Sequence, residues 1–227
     1  MVVTPITVLL AEDHTIVREG LRKMLEIEGG FEVVGEAQDG RQAVALAKKL
    51  RPNVVLMDIA MPRLNGLEAT RQLLKAVPAT KVLILSAHGD DAYVMHSTES
   101  GAAGFLLKQT SARAMCEAIR EVHKGKTFLS AEVSRRLRQL KGGFPSRAGR
   151  SRLRSSRLSS REVEVLQLIA EGLANKQVAA ELDINIKTVE KHRQRLMEKL
   201  KIHDTAGLTR YAIGAGIIES SVQMTID

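Results

Sequence analysis

Five polar side chains each stand at or just beyond the end of a short apolar run: Glu12 and Asp13, Asp58, Ser86 and Lys108. Three carboxylates gathered in one place repel one another and need a counter-charge. A hard divalent cation with oxygen ligands, Mg2+ above all, suits such a group. Asp58 then supplies a nucleophilic carboxylate, Ser86 a hydroxyl donor and Lys108 an ammonium, which together are working parts for phosphoryl transfer. A second set of residues lies far downstream. Lys187, Thr188, Glu190, Lys191 and Gln194 alternate with Val189, Leu196 and Leu200 at helical spacing. The apolar members pack inward and the polar ones project outward near the helix N-terminus. Lysine and glutamine there can read base edges, and lysine also neutralises phosphates.

The first set can meet only if the chain builds a particular scaffold. Apolar, β-branched runs occur at 6–10, 31–34, 54–57, 81–85 and 104–107, with amphipathic helical patterns near 15–28, 40–50, 65–77, 90–100 and 111–124. Asp39 with Gln42 has the spacing of a capping box, and Asp90 or Asp91 is placed to cap the fourth helix. Strands alternating with helices predict a doubly wound α/β domain with a five-stranded parallel sheet covered on both faces. With strand order 2-1-3-4-5, strands one and three are neighbours at the switch point, where ligands bind beyond the carboxyl ends of strands. Glu12, Asp13 and Asp58 converge there, with Ser86 and Lys108 on the same rim.

The rest of the chain is different. Residues 1–129 carry 16 Lys/Arg against 15 Asp/Glu, whereas residues 130–227 carry 18 against 11. A nearly neutral first half and a basic second half predict that one part meets a polyanion and the other does not. Residues 131–140 read as a short basic helix. A Ser/Arg-rich stretch to Arg157 follows, with no acid between Glu132 and Glu162, and reads as a charged linker whose arginines could also touch phosphates. From Leu158 the pattern is purely helical. Ser159 and Glu162 have capping-box spacing, Gly172 marks a stop, Asn175–Leu182 is a short helix, and Asp183-Ile184-Asn185 is a tight turn before the helix that carries Lys187. A fourth helix opens at Asp204, so an all-α four-helix domain containing a helix-turn-helix is expected. The predicted divisions are therefore 1–129, 130–157 and 158–227.

Composition closes off other classes. The single cysteine, Cys116, excludes an internal disulfide framework, and the six histidines show no metal-ligand spacing. No apolar run approaches the length of a bilayer span and no leader pattern opens the chain, so no membrane partner and a cytoplasmic location are expected.

The segments Leu9-Leu10-Ala11-Glu12-Asp13-His14, Met57-Asp58-Ile59-Ala60-Met61-Pro62 through Asn65-Gly66, Leu85-Ser86-Ala87 and Gly104-Phe105-Leu106-Leu107-Lys108 resemble, in order, the response-regulator receiver domain. The resemblance implies that Asp58 accepts a phosphoryl group from a sensor histidine kinase. It also implies that Glu12, Asp13 and Asp58 hold Mg2+ with the Ala60 carbonyl, and that Ser86 and Lys108 bind the phosphoryl oxygens. Phe105 matches the family's switch aromatic, which rotates inward after the serine moves. Gln109 stands where many receivers have a proline that is often cis, which bears on the loop rather than on Lys108. Ala60 and His88 occupy positions that tune phosphate lifetime. Residues 158–213 are similar to the LuxR-type helix-turn-helix, with Ser159-Ser160 where Thr-Pro is common and Asn185 where Ser is common. That resemblance implies base contacts from Glu190, Lys191 and Gln194 and phosphate contacts from Asn175, Lys176, Lys187 and Thr188. It further implies binding to double-stranded DNA as a homodimer through the helix around Thr205–Ile213.

Together the two resemblances describe a NarL/FixJ-class regulator of transcription rather than an enzyme. A Mg2+-dependent phosphohydrolase built on Asp58 would need a second acid two residues on, where Ala60 stands. A constitutive DNA-binding protein with the receiver as scaffold is the other alternative.

Overall fold

The computed structural model describes residues 4–87, 89, 91–129 and 158–218. The expected basic helix at 131–140, the stretch to Arg157, His88 and Asp90 lie outside the described residues. The chain divides into two compact units, Met1–Gly149 and Arg150–Asp227.

In the first unit, strands β1 (Ile6–Ala11), β2 (Phe31–Ala37), β3 (Val54–Asp58), β4 (Lys81–Ser86) and β5 (Gly104–Leu107) alternate with helices α1 (Thr15–Glu28), α2 (Gly40–Leu50), α3 (Gly66–Ala76), α4 (Asp91–Ser100) and α5 (Ala112–His123). All pairings are parallel. The sheet order is β2-β1-β3-β4-β5-β6, which corrects the expected five strands to six. The added strand, β6 (Phe128–Leu129), is only two residues long and pairs with Gly104 and Phe105 of β5. So short an element leaves no periodic apolar run to be read.

Alternate strand residues face opposite layers, as a pleated strand requires. Leu9, Val55, Met57, Val82, Ile84 and Phe105 pack into one core with α2, α3 and α4 residues such as Ala43, Leu73 and Val94. Val8, Leu10, Leu56, Leu83, Leu85 and Leu106 pack into the other with Leu25 of α1 and Ile119 of α5. Burial on both faces explains why these strands read as unbroken apolar runs. Asp39 caps α2 by accepting from Gln42 N at 2.8 Å, but the return arm of the expected box goes elsewhere: Gln42 Oε1 accepts from Gln38 N at 3.2 Å.

The second unit contains α6 (Ser160–Ala170), α7 (Asn175–Glu181), α8 (Ile186–Leu200) and α9 (Thr205–Gly214) around a core of Val165, Leu166, Leu168, Ile169, Val178, Leu182, Val189, Leu196 and Leu208. Gly172, with φ of 92°, makes the left-handed turn after α6 that a β-carbon would strain. The Ser159–Glu162 capping box forms in full, Glu162 N donating to Ser159 Oγ at 3.3 Å and Ser159 N to Glu162 Oε2 at 2.7 Å. Lys199 Nζ of α8 donates to the same Glu162 oxygen at 2.7 Å, so one buried carboxylate caps α6 and ties it to α8. Glu162→Gln should lower the stability of this domain by about 1 to 2 kcal/mol, measured by thermal melting at neutral pH. An unchanged melt would show that the amide replaces both contacts.

Candidate functional site

Strand register assembles the acidic site. Ala11 pairs with Met57, so Glu12 and Asp58 emerge side by side. Asp58 pairs with Leu85 and Ser86 with Leu107, which carries Ser86 and Lys108 onto the same rim in successive steps. Lys108 N donates to Ser86 O at 2.8 Å, fixing the rim between β4 and β5. The loop beyond Lys108 closes with Thr110 N donating to Leu107 O at 2.9 Å, and no peptide among the described residues is cis.

Lys108 Nζ lies 2.8 Å from Glu12 Oε2 and 3.0 Å from Asp58 Oδ2, bridging two carboxylates that are almost wholly buried. Burial, and then the Glu12 charge, push the Asp58 pKa up to about 6 in spite of Lys108. Burial opposes the Lys108 ammonium, but the Asp58 charge and the contacts to Glu12 and Asp58 outweigh it and raise its pKa. Asp58 Oδ1 accepts from Ile59 N at 2.8 Å, which leaves Oδ2 on the lysine side. The loop carrying Ile59 and Ala60 is pinned from α3, where Gly66 N donates to Ile59 O at 2.9 Å. A β-carbon on Gly66 would sit 1.8 Å from the Asp58 carbonyl oxygen, so glycine is required there.

Carboxylate oxygens of Glu12, Asp13 and Asp58 and a ring nitrogen of His14 all lie within 4.8 Å of one another. Glu12 Oε2, Asp13 Oδ1 and Asp58 Oδ2 are buried and have no hydrogen-bond partner. Each nevertheless has a basic group beside it, Lys108 Nζ for Glu12 and Asp58 and His14 Nδ1 for Asp13, so a cation entering the site would displace these contacts. Such oxygens, converging and deprived of water, form a donor set that fits a hard divalent cation. His14 was not foreseen in this group. Its Nδ1 lies 3.0 Å from Glu12 Oε1 and 2.9 Å from Asp13 Oδ1, and the hydrogen bond to Glu12, then the Asp13 charge, raise its pKa. Only its place beside two acids in the sequence could have signalled this.

Ser86 is buried. Phe105 is 1% exposed, opposite Ile84 and inside the core, so the ring already points inward.

In the second unit, Val189 and Leu196 of α8 are buried and Leu200 partly so, whereas Lys187, Glu190, Lys191 and Gln194 are exposed. Asn185 caps α8, its Oδ1 accepting from both the N and the Oγ1 of Thr188 at 2.8 Å, so this hydroxyl donates within the helix start. Lys176 is exposed at the start of α7. Asn175 Oδ1 accepts from Arg193 at 3.2 Å, and the same guanidinium donates to Thr205 Oγ1 at 2.9 Å. Arg193 thus connects α8 to the first turns of α7 and α9. Sequence spacing did not single it out, because its partners are 18 and 12 residues away.

Residues 8–120 match the family model for the response regulator receiver domain, and residues 156–212 match the model for bacterial regulatory proteins of the luxR family. The chain is 39% identical over 212 residues to the transcriptional regulatory protein DegU of Brevibacillus brevis, covering 88% of this chain and 89% of that one. It is 40% identical over 210 residues to the transcriptional regulatory protein LiaR of Bacillus subtilis (strain 168), covering 91% and 96%. Among solved structures, RcsB from Salmonella enterica serovar Typhimurium, bound to promoter rprA with the phosphomimetic BeF3-, aligns with a TM-score of 0.59 at 27% identity, over 91% of this chain and 98% of that one. No helix among the described residues is long and apolar enough to cross a membrane.

Proposed function

Because the chain belongs to the LuxR-family response regulators of two-component systems, we propose that Asp58 is its phosphoacceptor and that phosphorylation there controls dimerisation and DNA binding by α8. The observation that carries this reading is the convergence of Asp58, Glu12, Asp13 and Lys108 on one buried rim. An Asp58 carboxylate oxygen forms the new P–O bond as the P–N bond of a kinase phosphohistidine breaks, and the departing imidazole nitrogen keeps the electron pair. Glu12, Asp13 and Asp58, with the Ala60 carbonyl, would hold Mg2+, which would supply neutralising charge for the phosphoryl oxygens. Lys108 moves from bridging two carboxylates to holding a phosphoryl oxygen, with the Ser86 hydroxyl as a second donor. Phe105, seated in the core beside β4, couples that rim to α4. The protein does this work in the cytoplasm, where DNA and kinase domains are accessible, and it turns over no substrate of its own.

Incubation with Mg2+ and acetyl phosphate, followed by reductive trapping and peptide mapping, should place a single phosphoryl group on Asp58. Incorporation at another residue, or none, would overturn the assignment.

For the DNA domain, Glu190, Lys191 and Gln194 read bases, while Asn175, Lys176, Lys187 and Thr188 hold phosphates. Lys187→Ala should weaken binding equally on all sequences and reduce the salt slope by about one, whereas Gln194→Ala should cost about 1 to 3 kcal/mol on the preferred site only. Binding isotherms at several salt concentrations on specific and scrambled duplexes separate the two. The reverse pattern would exchange the roles of these residues.

A further inference from the structure

Arginine is rarely buried without a specific set of partners. Arg18, on the second turn of α1, is 5% exposed, and its guanidinium points into the loop between β1 and α1. One terminal nitrogen donates to the Glu12 carbonyl oxygen at 2.7 Å and approaches that of Asp13 at 3.4 Å. The other terminal nitrogen lies 3.5 Å from Thr15 Oγ1. Nε donates to Glu36 Oε2 on β2 at 3.0 Å, and Arg22 holds the other oxygen of Glu36. The guanidinium therefore grips from behind the backbone whose side chains are the two acids of the rim, and Glu36 anchors it to the sheet.

We infer that Arg18 is a positioning residue for the divalent-cation site: by fixing the carbonyls of Glu12 and Asp13 it aims their carboxylates at Asp58. The inference rests on the reading that these acids hold Mg2+. A planar fork with several donors in fixed geometry does this in a way an ammonium cannot, since one rigid group must satisfy a carboxylate and two carbonyls at once. Groups that orient metal ligands from outside the coordination sphere alter metal affinity by about 10- to 100-fold when lost. Glu36 acts on the site through its bond to Arg18.

The test is Mg2+ affinity of the full chain by isothermal titration calorimetry, with thermal melts to establish that each variant is folded. Arg18→Gln should weaken Mg2+ binding by about tenfold or more, and Arg18→Lys should restore little of it. Glu36→Gln should weaken binding in the same direction but by less, and the double variant should be no weaker than Arg18→Gln alone, as expected of groups acting in one chain. Asp13→Asn is the control for the underlying reading and should abolish binding. A folded Arg18→Gln protein with wild-type Mg2+ affinity, beside a silent Asp13→Asn, would overturn the role of Arg18 and leave the metal site standing. Should Arg18→Gln fail to fold, unchanged affinity in Glu36→Gln would overturn it equally. If Asp13→Asn binds Mg2+ as wild type does, the metal-site reading itself has failed, and the role of Arg18 goes with it.

Discussion

Asp58→Asn is expected to abolish phosphorylation and, in Mg2+-free buffer, to make the receiver domain more stable. The first effect is complete because the acceptor carboxylate is gone and an amide in its place is no nucleophile toward phosphorus. The second follows from the electrostatics of the rim. Burial and the neighbouring Glu12 charge raise the Asp58 pKa from 3.8 to about 6 in the folded protein. Below the unfolded value the group is protonated in both states and costs nothing. As pH rises from about 4 to about 6 the unfolded chain releases this proton more readily, so stability falls, and above the folded value the loss is constant. A shift of this size corresponds to about 3 kcal/mol at neutral pH. Asparagine carries no charge to desolvate and should remove that part of the pH dependence. Thermal melts in chelator between pH 4 and 7 check this, and parallel wild-type and variant curves would mean that Lys108 already compensates the charge.

The second large effect concerns a residue with no side chain. Gly66→Ala places a β-carbon 1.8 Å from the carbonyl oxygen of Asp58, a backbone atom that cannot rotate away. The collision must be relieved by moving the loop that carries Ile59 and Ala60, or α3, which Asn65 caps by accepting from Glu68 N. Either displacement shifts the acceptor carboxylate relative to Lys108. A misplacement on the order of 1 Å costs about 100-fold in rate, so phosphorylation by acetyl phosphate should fall by about that factor. The receiver should also lose about 1 to 3 kcal/mol of stability, as overpacking does. Time courses of phosphoryl incorporation measure the first effect and melting the second. A variant that phosphorylates at the wild-type rate would show that the loop yields without moving Asp58.

The sequence made most of this architecture legible because burial on both faces of the sheet writes each strand as an apolar run, and because each functional side chain ends such a run. Helix starts were legible where a short polar residue caps them, as Asn185 and Asp204 do by accepting backbone N–H bonds. What escaped depended on contacts between segments distant in sequence. The sixth strand is recruited by the exposed edge of β5 rather than by its own two residues. Arg18 looked like one more polar position on α1 until the fold placed Glu36 and the Glu12 carbonyl beside it. Arg193 looked like a surface base until α7 and α9 were folded against α8. The inward setting of Phe105 is a rotamer in a packed core, and its residue type does not specify it.

Coupling between the acidic rim and α8 is the central claim. It is tested most directly by DNA affinity at fixed salt, with and without Mg2+ and acetyl phosphate, for wild type and Asp58→Ala. Salt must be fixed because phosphate contacts make affinity steeply salt-dependent. A gain in affinity that requires both Mg2+ and the phosphodonor, and that vanishes in Asp58→Ala, is the predicted result. Equal binding by both proteins under all conditions would contradict it.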